Sequence, residues 1–278
     1  MIKLLKLDFY RLFKGRAFYV ILLLLMLISV FVPALMKAAT SVPSAETIEQ
    51  NSEQPSIAII DTSNLGEQDI TYSEKIEMIC EVFSGNVVPV AIIIFSALYA
   101  GAYKRTKFEK NIVNSVERRW YFVISNVIVC VFVTAVVIVL MLCGSATFNS
   151  AINPMYELLP FGSIQKLSLY IFSYYALLVC VACVMSCFIR LMKNHIAGLV
   201  IALVYGSGII YAIFDFALAP VFGAGFMVES YLPLGTMYNM SVNMNSSYYY
   251  RAIFIAMIFA FASVAIDIIA NNKRDVIC

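Results

Sequence analysis

Six long apolar runs, parted by short charged or Gly- and Pro-rich segments, restrict this 278-residue chain more than any other feature. A helix of about 20 apolar residues matches the hydrocarbon core of a bilayer. The runs at residues 17–36, 83–103, 121–143, 167–189, 196–216 and 251–270 approach that length. Hydrophobic residues make up 62% of the chain and charged ones 13%, against roughly 45–50% apolar in a soluble domain. A soluble fold of this size cannot hide so much apolar surface. The expected class is therefore an all-α integral membrane protein with six transmembrane helices forming one transmembrane domain.

Charge then sets the orientation. Fifteen of the 19 Lys and Arg residues fall in segments that share a side with the N-terminus, and four (Lys37, Lys75, Lys166, Arg251) fall on the other. Clustered cations resist translocation, so both termini are expected in the cytoplasm of a multi-pass cell-membrane protein, bacterial in type.

Residues 1–16 carry Lys3, Lys6, Arg11, Lys14 and Arg16, with Ile2, Leu5, Phe9, Leu12 and Phe13 sharing one helical face. This predicts an amphipathic helix lying in the interface, although Leu4 and Leu7 blur the two faces. The apolar run behind it is long enough to favour an uncleaved anchor over a secretory leader. Residues 37–82 form an acidic extracytoplasmic loop with nine carboxylates against two lysines, a formal charge of −7. Within it, Ile57–Ile60 reads as a short strand, and Thr71 with Glu74 as a capping box for a short helix. Residues 217–250 contain Pro220, Gly223, Gly225, Pro233 and Gly235 yet remain apolar, which fits an extracytoplasmic or re-entrant segment.

The most distinctive stretch is 104–120, between the second and third spans. Lys104, Arg105, Lys107, Lys110, Arg118 and Arg119 outnumber Glu109 and Glu117, and Phe108, Ile112 and Val116 form a stripe at i, i+4 and i+8. A short surface helix offering one apolar face to a cytosolic protein fits this pattern, and so does a solvated topogenic loop.

Small residues recur every fourth position in the last two spans, as Gly198, Ala202 and Gly206 and as Ala252, Ala256 and Ala260. Such ridges let backbones approach closely, and one is expected to pack within the subunit and the other against a neighbour. Cys180, Cys183 and Cys187 share a face but lack evident further ligands, so packing is the simpler reading. Asp215 and Asp267 are the only carboxylates within the spans; each is expected near a boundary, with Asp267 in reach of Lys273 or Arg274. Tyr170, Tyr174, Tyr175 and Tyr248–Tyr250 read first as aromatic-belt residues. His195 is the only histidine, no phosphate-cradling G-x-x-x-x-G-K-[ST] loop occurs, and no hydrolase motif is present. Neither catalysis nor a metal or cofactor site is expected in this chain, and nucleic acid is an improbable partner for so short a basic segment.

The order of these features resembles the ABC-2 type transporter permeases, the membrane-spanning subunits of ABC exporters. The resemblance is carried by Tyr99–Lys110, continuing through Asn111-Ile112-Val113-Asn114 to Arg118-Arg119-Trp120-Tyr121, with Ile57–Asn64 similar to a strand found after the first span. It implies that Lys107, Phe108, Glu109, Lys110, Asn111, Ile112, Arg118 and Arg119 form a coupling helix docked on a separate ATPase subunit. ATP and Mg would then be bound by that nucleotide-binding partner. It further implies a second permease copy or paralogue, contact with membrane lipid, and export of an amphipathic or lipophilic substrate such as an antimicrobial peptide, a lantibiotic or bacteriocin, or a drug. The alternative is a non-transporting sensor, scaffold or immunity protein without an ATPase partner.

Overall fold

The computed structural model describes residues 1–40, 83, 87–105, 120–152, 164–192, 194–222, 228–242 and 244–273. All regular structure among them is helical. The helices are α1 (Ile2–Lys14), α2 (Arg16–Thr40), α3 (Val87–Arg105), α4 (Trp120–Ile152), α5 (Ile164–Leu191), α6 (His195–Gly206), α7 (Ile209–Phe222), α8 (Pro233–Tyr238) and α9 (Ser246–Lys273), with a 3-10 turn at Val228–Tyr231 before α8. Three of them are long and apolar enough to cross a membrane, namely Trp120–Thr147, Leu167–Leu191 and Ser246–Asn271. The count reaches five when the bent pairs α1–α2 and α6–α7 are each taken as one span. The apolar part of α3, Val87–Ala102, is shorter. The acidic loop with its expected strand and capping box, and most of the basic segment, lie outside the described residues.

The bundle is organised around α5, which packs along α9, α3, α4, α6 and α8. α2 packs on α4 and α3, and α1 lies against α4. Leu177, Leu178, Cys180 and Val181 of α5 are fully buried. In lipid, apolar burial gives little drive between helices, so close fit and buried polar contacts must hold them together. Gly144 of α4 provides one such fit: a Cβ there would overlap the buried Ser29 side chain of α2.

Both small-residue ridges are covered inside the chain. Gly198 faces Ile189, and Gly206 meets Val90 and Ile93 of α3. Ala202, Ala252 and Ala256 are buried, and Ala260 packs against the same core. α9, which carries the second ridge, packs along α5.

The apolar run at 196–216 is two helices rather than one. α6 and α7 are bent by 74° at Ser207-Gly208, where Gly208 takes φ +78. Only a residue without a Cβ adopts that conformation at little cost. The backbone groups exposed by the break are satisfied locally. Ser207 Oγ donates to the Val204 carbonyl at 2.8 Å, and Tyr238 Oη donates to the Gly206 carbonyl at 2.6 Å. A broken helix survives at membrane depth when protein supplies such partners.

The segment after α7 folds back onto the bundle. Pro233–Met237 of α8 is buried against α5 and α9. Pro233 sits in the first turn, where no N–H is required of it. Thr236 Oγ1 donates to the Leu232 carbonyl at 2.8 Å and Tyr248 Oη to the Thr236 carbonyl at 3.0 Å.

Tyrosines pin this end of the bundle from within, which corrects the aromatic-belt expectation for most of them. Tyr170, Tyr174 and Tyr249 are buried, with Tyr170 stacked on Tyr174 at 6.1 Å and edge-on to Tyr249 at 6.3 Å. Tyr174 donates to the Phe83 carbonyl, Tyr175 to the Val131 carbonyl, and Tyr249 to the Ser241 and Val242 carbonyls. Tyr250 alone of the six is exposed. The hydroxyls close backbone groups that a buried, irregular segment would otherwise leave unpaired.

Candidate functional site

Among the described residues, the buried charges Asp8, Arg190 and Asp267 collect at one end of the bundle. That end carries α1, the close of α3, the start of α4 and the closing turns of α5 and α9. It is also where the basic segment leaves α3 and returns into α4.

α1 enters through a carboxylate. Its buried stripe is Leu4, Asp8 and Leu12, at i, i+4 and i+8, while Ile2 and Phe13 are exposed. The face expected to be buried is therefore rotated, because Asp8 finds protein partners that an interfacial helix would not offer. Ser125 Oγ of α4 donates to Asp8 Oδ2 at 2.5 Å, and Tyr99 Oη of α3 donates to the Asp8 carbonyl at 3.4 Å. Arg11, one turn on, holds its guanidinium 4.0 Å from Asp8 Oδ1. Around this clasp, Phe9 and Phe13 pack on Phe132 of α4, and Phe18 packs between Phe13 and Phe95 of α3. α1 is thereby fixed to both helices that bracket residues 106–119.

A second charged contact joins α5 to α9. Arg190 donates to Asp267 Oδ2 at 3.1 Å, with the two side chains 3% and 6% exposed. The side chains of Lys273 and Arg274, the partners expected within reach of Asp267, lie outside the described residues. Helical reach favours near neighbours, but the packing of α9 along α5 brings a cation 77 residues away into direct contact. One turn deeper, Cys130 Sγ of α4 lies 3.8 Å from Ser186 Oγ of α5. The two helices are antiparallel, so that contact sets Asn126 and Arg190 at one level, each a turn nearer the charged end. Asn126 is buried, and its Oδ1 accepts no hydrogen bond among the described residues.

Cys180, Cys183 and Cys187 are buried with free thiols, and among the described residues no group of His, Cys, Asp or Glu is arranged to hold a metal ion. Lys107, Phe108, Glu109, Lys110, Asn111, Ile112, Arg118 and Arg119 lie outside the described residues. The site is thus described by its frame, and that frame is more rigidly tied to α1 than the sequence reveals. Asp8, Tyr99, Ser125 and Arg190 were not separable by pattern; the one available signal was that Asp8 interrupts an otherwise basic helix.

The clasp predicts a local effect. Asp8→Ala removes the acceptor of a buried hydroxyl, a loss of about 1–3 kcal/mol. Amide hydrogen exchange across Ile2–Lys14 is expected to quicken markedly while α5 keeps its protection; unchanged exchange in α1 refutes the clasp. Comparison with protein-family models, characterised proteins and solved structures finds no match to this chain.

Proposed function

We propose that this chain is the membrane-spanning subunit of an ATP-driven exporter of the ABC-2 permease type, moving an amphipathic or lipophilic substrate out of the cell. Six spans with both termini in the cytoplasm of a bacterial cell membrane complete the reading. The observation that carries it is the attachment of α1 to the ends of α3 and α4 through Asp8, Tyr99 and Ser125. A helix so fixed, beside a segment with six cations and an apolar stripe, forms a stiff handle by which an external protein can tilt several helices together. Phe108, Ile112 and Val116 provide the buried contact, and the cations orient it. ATP and Mg belong to the nucleotide-binding partner, and a second copy or paralogue completes the route.

Purification of the whole chain in mild detergent tests the reading. A stoichiometric polypeptide carrying a Walker loop is expected with the wild type and is lost from the Phe108→Asp, Ile112→Asp variant. Recovery of the chain without any nucleotide-binding polypeptide replaces this function with that of a sensor, scaffold or immunity protein.

A further inference from the structure

Fixing α1 to α3 and α4 turns its opposite face outward. Successive residues of a helix step by about 100°. The face away from Leu4, Asp8 and Leu12 therefore runs from Ile2 and Phe13, through Lys6, to Tyr10, Lys3 and Lys14. All six are exposed, Ile2 at 83% and Phe13 at 46%. One edge of this face is apolar and the other is cationic. Lys3 and Lys6 make no ion pair among the described residues. Lys14 sits over the Tyr10 ring and donates to its hydroxyl at 3.3 Å. Asp8, the one carboxylate of α1, is turned into the clasp and does not offset these charges.

The neighbouring helix indicates what covers the face. α2 follows after Gly15 alone, at 59° to α1. Tyr19, Val20, Leu23, Leu24, Leu27 and Phe31 of α2 are exposed, a surface suited to acyl chains. α1 thus leaves the acyl region at the start of α2 and runs more along its boundary than through it. There, an apolar edge beside a row of lysines matches the two layers of a phospholipid surface, acyl chains below and phosphates above. A soluble partner could match the charge, but the hydrocarbon that covers α2 already reaches the apolar edge.

We propose that the exposed face of α1 is a docking surface for anionic phospholipid, with phosphates held by Lys3, Lys6 and Lys14 and acyl chains against Ile2 and Phe13. The Asp8 clasp joins the same helix to Tyr99 and Ser125. The charge of the adjoining leaflet therefore bears on the ends of α3 and α4 that bracket residues 106–119. This assignment rests on the membrane reading of the chain and is independent of an ATPase partner.

The test uses the full chain carrying Trp120→Phe and Tyr10→Trp, which leaves a single indole, on α1. It is reconstituted in nanodiscs of phosphatidylcholine and phosphatidylglycerol in equal amounts, with bromine on the acyl chains of one lipid or the other to quench the indole. Quenching is expected to report about a fivefold preference for phosphatidylglycerol, the worth of one lysine at the surface. The preference should vanish in the triple variant Lys3→Gln, Lys6→Gln, Lys14→Gln and shrink in high salt. Hydrogen exchange across α1 and α5 checks the folding of each variant. Equal quenching by the two lipids with the lysines intact, or a preference that survives their loss, overturns the surface. Quenching that appears only after a bound polypeptide is stripped away assigns the face to protein instead. A chain that does not enter the nanodiscs refutes the membrane reading, and this surface with it. A chain that shows the preference yet purifies without a nucleotide-binding polypeptide refutes the export reading alone.

Discussion

Arg190→Ala is expected to cost the bundle about 3–5 kcal/mol, because it leaves the Asp267 carboxylate buried without its cation. Both side chains are almost wholly enclosed and their contact is direct. Asp267→Ala should cost a comparable amount by stranding the guanidinium. The decisive comparison is the double replacement Arg190→Met, Asp267→Leu, which keeps volume and removes both charges; it is expected to recover most of the loss. Unfolding of the purified protein in nanodiscs gives all three values. If the double variant is as unstable as either single one, the pair is not the source of the effect and packing volume at the α5–α9 seam is.

Gly235→Ala is expected to have the next largest effect, and for a steric reason. A Cβ at Gly235 would overlap the Glu229 carbonyl oxygen and its Cγ. The backbone is one of the clashing partners, so a rotamer change offers no relief. Overpacking of this kind costs about 1–3 kcal/mol, sometimes more. Neighbouring contacts block easy retreat, since Thr236 Oγ1 reaches the Ser230 carbonyl at 3.2 Å and Tyr248 closes over Thr236. The expected readout is a lower unfolding midpoint, because the turn carrying Glu229 must shift. A wild-type midpoint would show that the turn yields freely.

The helical class was legible because apolar runs of bilayer length have few other solutions. The small-residue positions Gly198, Ala202 and Gly206 could be picked out by spacing, but the surface they meet could not. Asp267 shows the limit more sharply. Reading along one helix offers Lys273 and Arg274, whereas Arg190 comes into view only with the packing of α9 on α5. Asp8 was hidden for a related reason: one acid among five cations reads as surface charge until Ser125 and Tyr99 are brought around it. The break in the fifth apolar run had a local signal in Gly206-Ser207-Gly208. Hydropathy is blind to it, because both halves remain apolar on either side of the bend. The tyrosines misled for the opposite reason, since residues near a predicted boundary fit an interface until their hydroxyls are traced to buried carbonyls.

The Arg190–Asp267 contact also constrains how the protein is made. At about 5–20 residues per second of synthesis, the 77 residues between the two take roughly 4–15 s to appear. For that interval α5 holds an arginine whose Asp267 partner does not yet exist. Arg190 lies one residue from the end of its helix, so its long side chain can bend toward headgroup phosphates while it waits. Arrival of the last helix then exchanges lipid for Asp267 and draws the guanidinium inward. A nascent chain halted before Asp267 should accordingly hold α5 loosely and depend on anionic lipid, and release of the arrest should remove that dependence.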